Sequence, residues 1–413
     1  MNRWMKAYCR AYQLVFRLAM PILPYREPEC CGSVSELEEV FRKLKPSGVL
    51  LVTDETLRKQ GITKSVEALI DKMKIPCAVY DKTRPNPTVE NVEEALELYR
   101  KANCSCLVAV GGGSAMDCAK GVGARVVNPK RSIMKMKGIL KVFHRIPPLI
   151  AIPTTAGTGS EATVTAVITD EATKHKCTMS DFVLIPTHAV HDPELTRTLP
   201  PALTAATGMD VLTHAVEAYI GQSTTKETRA HALRATKLVF ENVEKAYRNG
   251  GDMQARRNML EASYLAGQAF SKSYVGYIHA VAHSLGGQYN IPHGLANAVL
   301  LPIGLEIYEK SVYRKLHELA VAAGIAGQED SDERAANLFI QAVRGLNARM
   351  GIPEKLSGIR KEDISVMAAH ADKEANPLYP VPVLMDAGEL AVFYEAVADW
   401  SKEDDRTENR QAA

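Results

Sequence analysis

The sequence lacks the features that mark several large classes of protein. Its 413 residues carry 50 basic and 48 acidic side chains, and the net charge of +2 gives no argument for binding nucleic acid or an anionic membrane. No apolar run approaches the roughly 18 to 20 residues that span a bilayer, and no repeated unit is apparent. We therefore expect no integral membrane segment and no nucleic acid partner.

Paired cysteines are also lacking. All eight cysteines lie between Cys9 and Cys177, without a CxxC pair and within apolar or helical patterns. A disulfide framework or a zinc ribbon would need paired spacing, which leaves both with little support. The scatter is typical of reduced thiols, so we expect a cytoplasmic protein.

The first 31 residues form an atypical, amphipathic lead segment. Basic residues at Arg3, Lys6, Arg10 and Arg17 interrupt its aromatic and aliphatic residues. The six residues between Arg10 and Arg17 are too few for the apolar core of a secretory signal. We expect a helix that packs on the body of the protein or on a partner chain, rather than on a membrane surface.

Strand and helix patterns alternate along the first half of the chain. Buried strands appear in VLLVTDETLRKQG, CAVYDKTRPNPT and LVAVGGGSAMDCAK, and a helical pattern in VEEALELYRKANC separates the last two. This order predicts an α/β domain over residues 1–198, with a doubly wound, mainly parallel, Rossmann-like sheet.

The pattern changes after about residue 198. Long helical segments without a convincing strand follow at 201–220, 225–249, 252–272 and 294–309. Since the chain is also longer than one hydrophobic core usually allows, we predict a second, all-α domain over residues 199–413.

Glycines and hydroxyl side chains follow two of the predicted strands. GGGS at 111–114 lies between a strand and a helix, and IPTTAGTGSE places Thr154, Thr155 and Thr158 after another strand. Backbone amides at such a turn bind phosphate, and the carboxyl ends of adjacent parallel strands bind nucleotides. A tight turn without a ligand is the alternative for the glycines alone.

Asp54 directly follows the strand VLLV. Its carboxylate could bind an adenosine ribose and repel a 2′-phosphate, which favours NAD over NADP. It could equally cap the helix that begins at Glu55.

Two pairs of residues four apart predict a metal site. Asp210 and His214 lie in GMDVLTHAVEAY, and His279 and His283 lie in HAVAHSLGGQYNIPH, where His293 follows a predicted break at Gly286-Gly287. Residues four apart share one face of a helix. Three imidazoles and one carboxylate suit a divalent metal with room for a substrate oxygen, which makes Asp210, His214, His279 and His293 the candidate ligands. We expect His283 to carry protons, because a fifth ligand would close the open position.

The ordered motifs resemble those of iron-containing (group III) alcohol dehydrogenases. They are VTDETL, RPNPT, GGGSAMDCAK, IPTTAGTGSEAT, DPEL, GMDVLTHAVEAY and HAVAHSLGGQYNIPHGLANAVLLP, from about residue 50 to 305. The resemblance implies the architecture shared with dehydroquinate synthase, and reversible hydride transfer between a small alcohol or diol and NAD(P). It assigns the four candidate ligands to Fe²⁺, although Zn²⁺ tolerates the same donors, and it places His283 near the nicotinamide.

The resemblance also implies cofactor, substrate and assembly contacts. The implied cofactor contacts are Asp54, Asn86, Gly112, Gly113, Ser114, Thr154, Thr155, Thr158 and Lys176. Thr165, Val167 and Phe270 fall where relatives line the substrate pocket. We expect an alcohol or aldehyde as the small-molecule partner, and a homodimer or larger homo-oligomer.

Three other functions compete with this interpretation. A zinc polyol dehydrogenase of the glycerol dehydrogenase type shares the fold with fewer histidine ligands. A dehydroquinate-synthase-like lyase would need clustered Lys and Arg for a phosphorylated substrate, and residues 274–305 contain neither. A nonenzymatic metal- or nucleotide-binding protein is the third.

Overall fold

The computed structural model describes residues 1–171 and 175–400, apart from the side chains of Pro21, His175 and Lys176. The strands in this part of the chain are β1 Glu29–Cys31, β2 Val49–Val52, β3 Cys77–Tyr80, β4 Cys106–Gly111, β5 Gly138–Ile139, β6 Leu149–Pro153, β7 Thr165–Asp170, β8 His175–Ser180 and β9 His188–Val190.

The α-helices alternate with the strands at first and then follow one another. They are α1 Arg3–Ala19, α2 Leu37–Leu44, α3 Glu55–Lys59, α4 Lys64–Lys72, α5 Val89–Lys101, α6 Gly113–Val127, α7 Pro201–Ile220, α8 Lys226–Arg248, α9 Met253–Ser273, α10 Tyr277–Tyr289, α11 His293–Tyr308, α12 Tyr313–Ala322, α13 Asp332–Arg349, α14 Ile364–Ala375 and α15 Ala387–Val397. In the part of the chain that the structure describes, no helix combines the length and the apolar character that a membrane span requires.

Six strands form one fully parallel sheet in the order β1-β9-β6-β4-β2-β3. Successive residues of its strands point to opposite faces, so Leu50 and Val52 join one apolar core while Val49 and Leu51 join another. Because helices cover both faces, the central strands β2, β4 and β6 are buried throughout. The predicted doubly wound parallel sheet is confirmed.

A second, smaller sheet was not predicted. It has the order β5-β8-β7, with β7 and β8 antiparallel and β5 and β8 parallel. In β7, the side chains of Thr165, Val167 and Thr169 alternate with the buried Ala166 and Ile168. No turn motif between β7 and β8 stands out in the sequence, so local patterns do not predict that these strands pair.

The chain divides into two compact units. A sheet unit contains Leu23–Pro200 and Asn249–Ser271, and a helical unit contains Met1–Ile22, Pro201–Arg248 and the chain from Lys272 onward. The predicted boundary near residue 198 lies close to the point at which the chain passes from the sheet unit to the helical unit, between Pro200 and Pro201. The predicted domains of 1–198 and 199–413 differ from the units at the lead segment and at α9.

Helix α1 belongs to the helical unit because its polar side chains bind backbone carbonyls there. Arg10 donates to the carbonyl oxygens of Val381 and Pro382 at 2.8 and 2.9 Å. Gln13 donates to the Tyr379 carbonyl at 2.8 Å and is buried. The partners lie more than 360 residues away in sequence, so no local pattern could have located them.

Most of α9 belongs to the sheet unit because two glycines allow backbone contact. A Cβ on Gly159, whose φ is +59°, would lie 2.7 Å from the Ser263 carbonyl, and a Cβ on Gly267 would lie 2.8 Å from the Gly159 carbonyl. Any side chain at these positions would push α9 away from the loop.

Candidate metal and cofactor sites

Helix α7 places Asp210 and His214 on one buried face. The helix is apolar on nearly all sides, and residues 208–220 are buried throughout. Asp210 and His214 are 2% and 5% exposed. A buried carboxylate beside a buried imidazole is costly unless each has a partner of complementary charge, which indicates a binding site.

Helices α10 and α11 contribute the other two candidate ligands. His279 lies in the first turn of α10, and His293 is the first residue of α11. The predicted break at Gly286-Gly287 is wrong, because α10 continues to Tyr289 and ends at Asn290 in a left-handed conformation with φ of 54°. Each internal glycine weakens a helix by only about 1 kcal/mol, and burial of α10 outweighs that cost.

The four candidate ligands converge. One donor atom from each of Asp210, His214, His279 and His293 lies within 4.8 Å of the others. We call this group the four-residue cluster. Asp210 Oδ1 lies 3.7 Å from His279 Nε2 and 3.5 Å from His293 Nε2. Within the described residues His279 Nε2 is buried without a hydrogen bond, so its lone pair is available to a cation. A set of three nitrogen donors and one oxygen donor suits Fe²⁺ or Zn²⁺.

Glu217, which the sequence did not single out, fixes the orientation of His279. Its Oε2 lies 2.5 Å from His279 Nδ1, and its Oε1 accepts a hydrogen bond from the Ile278 amide at 2.9 Å. A proton on Nδ1 leaves Nε2 as the atom available to a metal. Asp210, His214 and Glu217 follow the spacing i, i+4, i+7 along α7, which could have identified Glu217.

The absence of a Cβ atom at Gly276 makes room for the carboxylate of Glu217. A Cβ on Gly276, the residue before α10, would lie 2.6 Å from Glu217 Oε1. Only glycine therefore allows the carboxylate to approach the start of α10 so closely.

Asn297 is a second polar residue that the sequence did not reveal. It is fully buried one turn after His293 in α11, and its Nδ2 donates to Asp210 Oδ1 at 2.6 Å. The same nitrogen lies 3.1 Å from His293 Nε2. Asn297 thus orients one carboxylate and one imidazole of the cluster.

The electrostatics of the cluster favour a dication. Burial would raise the pKa of Asp210, but the neighbouring His214 and His293 outweigh burial and lower that pKa far below its usual range. Burial would lower the pKa of His279, but the carboxylates of Asp210 and Glu217 raise it to about 9. Although 36% of the His293 side chain is exposed, burial of its ring among the other imidazoles lowers its pKa. The buried carboxylates of Asp210 and Glu217 therefore favour positive charge in the cluster, whether from a proton on His279 or from a bound dication.

His283 lies outside the four-residue cluster but touches it. Its ring stacks on that of His293 with centroids 5.0 Å apart and an interplanar angle of 19°. Its Nδ1 lies 2.6 Å from Glu374 Oε1, which also accepts a hydrogen bond from the Tyr379 hydroxyl at 2.9 Å. Glu374 was not predicted, since nearly a hundred residues separate it from His283.

The predicted phosphate-binding residues meet at adjacent strand ends in the sheet unit. Strands β6, β4 and β2 are neighbours, and the strand order reverses between β4 and β2, where such sheets bind ligands. A Cβ on Gly112 would lie 3.2 Å from Thr155 Oγ1, and one on Gly113 would lie 2.9 Å from Thr158 Cγ2. The glycines are therefore required for the close approach of the threonine loop to the start of α6.

The remaining candidates at this edge stand on several elements. Ser114 lies in the first turn of α6, and Thr154 follows β6 and is buried. Asp54 Oδ1 accepts a hydrogen bond from the Leu57 amide at 2.9 Å, so Asp54 does cap α3, while its role toward a ribose stays a prediction. Asn86 has a left-handed φ of 57°, which asparagine tolerates. The Lys176 side chain lies outside the described residues.

Lys120 is a fully buried charged residue of the sheet unit. It is 0% exposed on α6, and its ammonium lies among five oxygens, which we call the ammonium cage. They are the carbonyl oxygens of Ser160, Thr163 and Thr165 at 2.7, 3.0 and 2.8 Å and the hydroxyl oxygens of Ser160 and Thr163 at 3.1 and 2.9 Å.

The ammonium cage reaches the candidate substrate residues. Thr165 and Val167 share one face of β7. The Thr165 carbonyl belongs to the cage, and the Val167 amide donates to Asp117 Oδ2 at 3.1 Å. Phe270 lies near the end of α9. Helix α6 thus begins at the predicted phosphate turn and also holds the strand that carries two candidate pocket residues.

Two family models together match most of the chain. The model described as iron-containing alcohol dehydrogenase matches residues 30–193, and the model of the C-terminal part of the same family matches residues 204–396. Alcohol dehydrogenase 4 of Schizosaccharomyces pombe is 40% identical over 351 residues, which cover 83% of this chain and 82% of that protein.

Solved structures show the same fold. The crystal structure of a 1,3-propanediol oxidoreductase superposes with a TM-score of 0.87 at 37% identity and covers 90% of this chain and 99% of that chain. A sulfoacetaldehyde reductase from Bifidobacterium kashiwanohense, solved in complex with NAD⁺, gives a TM-score of 0.80 at 29% identity and covers 92% of this chain and 99% of that chain.

Proposed function

Because the chain belongs to the iron-containing alcohol dehydrogenase family, we propose that the four-residue cluster is its Fe²⁺ site and that the strand ends of the sheet unit bind NAD. The protein is a metal-dependent alcohol dehydrogenase that uses NAD. This function is supported over a zinc polyol dehydrogenase, a lyase and a nonenzymatic protein. The convergence of four donor atoms within 4.8 Å carries the proposed metal site.

When bound, Fe²⁺ supplies Lewis acidity toward an alcohol oxygen and NAD accepts a hydride. The protein's own groups prepare this chemistry. Asp210 brings one negative charge, and Glu217 holds His279 with Nε2 directed into the cluster. Asn297 keeps Asp210 in place through its 2.6 Å hydrogen bond. These groups are positioned before substrate arrives, which reduces the reorganisation that the reaction requires.

We propose that His283 accepts the proton released when the alcohol is oxidised. Its position beside His293 and its 2.6 Å contact with Glu374 support this role, because a carboxylate stabilises the imidazolium that forms. Glu374 would then be the next group toward solvent.

Replacing His283 tests the proton route. In His283→Ala we expect kcat to fall by about 10² while iron content stays that of the wild type, because the four ligands remain. Iron analysis on anaerobically purified protein and initial rates measure both. His317→Ala, which removes a histidine bound to Asp332 at 2.8 Å, is the matched control. Loss of iron in His283→Ala would contradict the assignment.

We propose a small primary alcohol or a diol as the substrate. The hydroxyl of Thr165 and the apolar side chains of Val167 and Phe270 support a small, mostly apolar pocket, and a similar protein of solved structure is a 1,3-propanediol oxidoreductase. Values of kcat/KM across C2 to C6 alcohols, diols and aldehydes test this proposal, and a flat profile would contradict it.

The preference for NAD over NADP is a separate proposal that depends on Asp54. Since Asp54 caps α3, Asp54→Asn keeps an oxygen for the cap while it removes the charge that repels a 2′-phosphate. We expect the ratio of kcat/KM for NADP to that for NAD to rise about tenfold, or about 1.4 kcal/mol. An unchanged ratio would exclude Asp54 from this role.

We further propose a cytoplasmic homo-oligomer. All eight cysteines are free thiols, and six of them are buried, which supports a reducing compartment. The apolar face exposed on α1 supports self-association.

A further inference from the structure

Helix α1 presents its apolar side to solvent. Cys9 and Gln13 are buried against the helical unit, whereas Trp4 and Ile22 are 87% and 84% exposed. The other exposed large apolar side chains of this segment are Met5, Tyr8, Tyr12, Leu14, Val15 and Leu18. An exposed apolar patch of this extent on one chain marks an interaction site.

The exposed side chains follow a helix-pairing pattern. Residues 4, 8, 11, 15, 18 and 22 are Trp, Tyr, Ala, Val, Leu and Ile, and they are separated by four, three, four, three and four positions. This alternation is the a/d repeat by which one helix packs on another. We call these six residues the α1 seam. Five of the six lie on α1 and span roughly 21 Å from Trp4 to Leu18, from the rise of 1.5 Å per residue. Ile22 ends the 3₁₀ turn Met20–Ile22 that follows the helix.

The seam also reads the same in both directions. In an antiparallel pair related by a two-fold axis at the level of residue 13, position 4 faces position 22, 8 faces 18, and 11 faces 15. Trp4 then meets Ile22, Tyr8 meets Leu18, and the small Ala11 leaves room for Val15. Two identical helices can therefore use positions 8, 11, 15 and 18 at once, while Trp4 lies level with the 3₁₀ turn that carries Ile22.

Charge selects the antiparallel arrangement over the parallel one. Arg3, Lys6, Arg10 and Arg17 give α1 only positive side chains, and Arg3 and Arg17 are exposed. A parallel pair would place each arginine beside its own copy. In the antiparallel pair the exposed arginines of the two helices are separated by roughly 9 Å or more along the axis, about the distance at which salt screens charges. Arg17 of one helix lies level with Arg10 of the other, whose guanidinium is bound to the carbonyls of Val381 and Pro382 of its own chain.

The contacts on the buried side of α1 fix the position of the helix, with the seam facing solvent. The amino group of Met1 forms ion pairs with Asp386 and Glu389, and Arg10 and Gln13 bind carbonyls of residues 377–382. The helix is thus anchored before it meets a partner, which lowers the entropy lost on association. The family models begin at residue 30, so the seam lies outside the segment that they match.

We propose that the α1 seam is an interface between two copies of this chain, which pair α1 with α1 in antiparallel orientation. This interface stands independently of the metal and cofactor sites. It would bring together two complete chains and leave the four-residue cluster of each unchanged.

The first test replaces a seam residue by a charge. In Leu18→Glu two carboxylates enter the seam, and we expect self-association of the iron- and NAD-loaded enzyme to weaken at least about 30-fold, as for a central interface residue. Mass photometry and sedimentation velocity measure the number of chains per particle. Val366→Glu, at a 54% exposed valine on α14, is the control and should leave that number unchanged. An unchanged number of chains in Leu18→Glu would overturn the proposal.

The second test determines the orientation without a disruptive change. Chains with Ala11→Cys are mixed with chains carrying Val15→Cys, both in a background of Cys30→Ser and Cys77→Ser that removes the exposed native thiols. Mild oxidation should link the two variants to each other but neither to itself, because 11 faces 15. Links between identical variants, or none, would overturn the antiparallel pair.

A membrane surface is the competing partner for such a helix. Vesicles of phosphatidylcholine with phosphatidylserine are sedimented with the loaded enzyme. Binding that Leu18→Glu abolishes, with the number of chains unchanged, would overturn the proposal in favour of lipid. Absence of binding, together with the 11-to-15 link, supports it.

Discussion

The four-residue cluster and the ammonium cage are both buried charged sites, and they differ in the source of their cation. The four-residue cluster of the helical unit brings one carboxylate and three imidazoles together. Apart from protons on these imidazoles, no side chain of the described residues supplies a cation to the cluster. The ammonium cage of the sheet unit gathers five oxygens around a cation that the chain itself provides, Lys120.

The difference teaches how to distinguish a binding site from a structural one. In the cluster, His279 Nε2 is buried without a hydrogen bond among the described residues, and such an atom requires a ligand. In the cage, the ammonium has more acceptors than its three protons. Burial alone does not identify a functional site. A group of buried ligand atoms that includes one without a hydrogen-bond partner does.

The largest effect should follow from removing the only carboxylate of the cluster. In Asp210→Asn the negative charge is lost while the shape is kept. We expect iron to be absent and kcat to fall at least about 10³-fold, since the metal supplies several kcal/mol to the reaction. Metal analysis and rates check this. Asp363→Asn, at a carboxylate that pairs with Arg360, is the control. A fully metallated, active Asp210→Asn variant would contradict the distinction between the cluster as a metal-binding site and the cage as a structural site.

The next effect concerns stability instead of metal. Lys120→Met leaves five buried oxygens without their ammonium, and we expect the free energy of unfolding to fall by about 3 kcal/mol. Urea denaturation measures this change. Lys101→Met, which removes an exposed ion pair with Glu97, should change stability little. If Lys120→Met unfolded at the same urea concentration as the wild type, the cage would not need the hydrogen bonds that Lys120 donates.

A smaller effect is expected from the residue that orients a ligand. In Glu217→Gln an amide faces His279 Nδ1, and the tautomer that directs Nε2 into the cluster loses its support. We expect iron affinity to fall about 10- to 100-fold, as measured by competition with a chelator. Glu374→Gln, which alters the partner of His283, should leave iron affinity unchanged. Equal affinities of Glu217→Gln and the wild type would show that packing alone orients His279.

The smallest effect, taken per pH unit, is a pH dependence of stability that originates in the cage. Burial outweighs the charges of Asp117 and Glu161 and lowers the pKa of Lys120 to about 8. Below pH 8 the lysine is protonated in both states. From pH 8 to the ordinary pKa of lysine, the unfolded chain binds more protons, so the free energy of unfolding rises by at most about 1.4 kcal/mol per pH unit. Urea denaturation from pH 7 to 10 should show this slope in the wild type. The Lys120→Met variant should lack this slope. An equal slope in the wild type and in the variant would show that the pH dependence does not originate in Lys120.

The sequence predicted those parts of the sites that depend on local periodicity. Asp210 and His214 are one helical turn apart, and GGGS lies between a strand and a helix, so short-range patterns locate them. Glu217 was missed although it continues the same face of α7. Gly286 and Gly287 misled the prediction, because the sequence does not show that burial of α10 outweighs their low helix propensity.

The remaining features depend on contacts between distant segments. The acceptors of Lys120 are mostly backbone carbonyls, which no residue type indicates. Helix α9 joins the sheet unit through the approach of Gly267 to Gly159, and α1 joins the helical unit through carbonyls near residue 380. Neither contact produces a periodic pattern, so both escape a search along the chain.

The anchoring of α1 has a consequence for biosynthesis. Gln13 binds the Tyr379 carbonyl across a separation of 366 residues, so α1 leaves the ribosome long before its docking site exists. At about 5 to 20 residues per second, the wait lasts roughly 20 to 70 seconds. Throughout that time a segment bearing Trp4, Leu18 and Ile22 is exposed to chaperones and to neighbouring nascent chains. Two ribosomes on one messenger RNA could therefore bring two such helices together before either chain is finished.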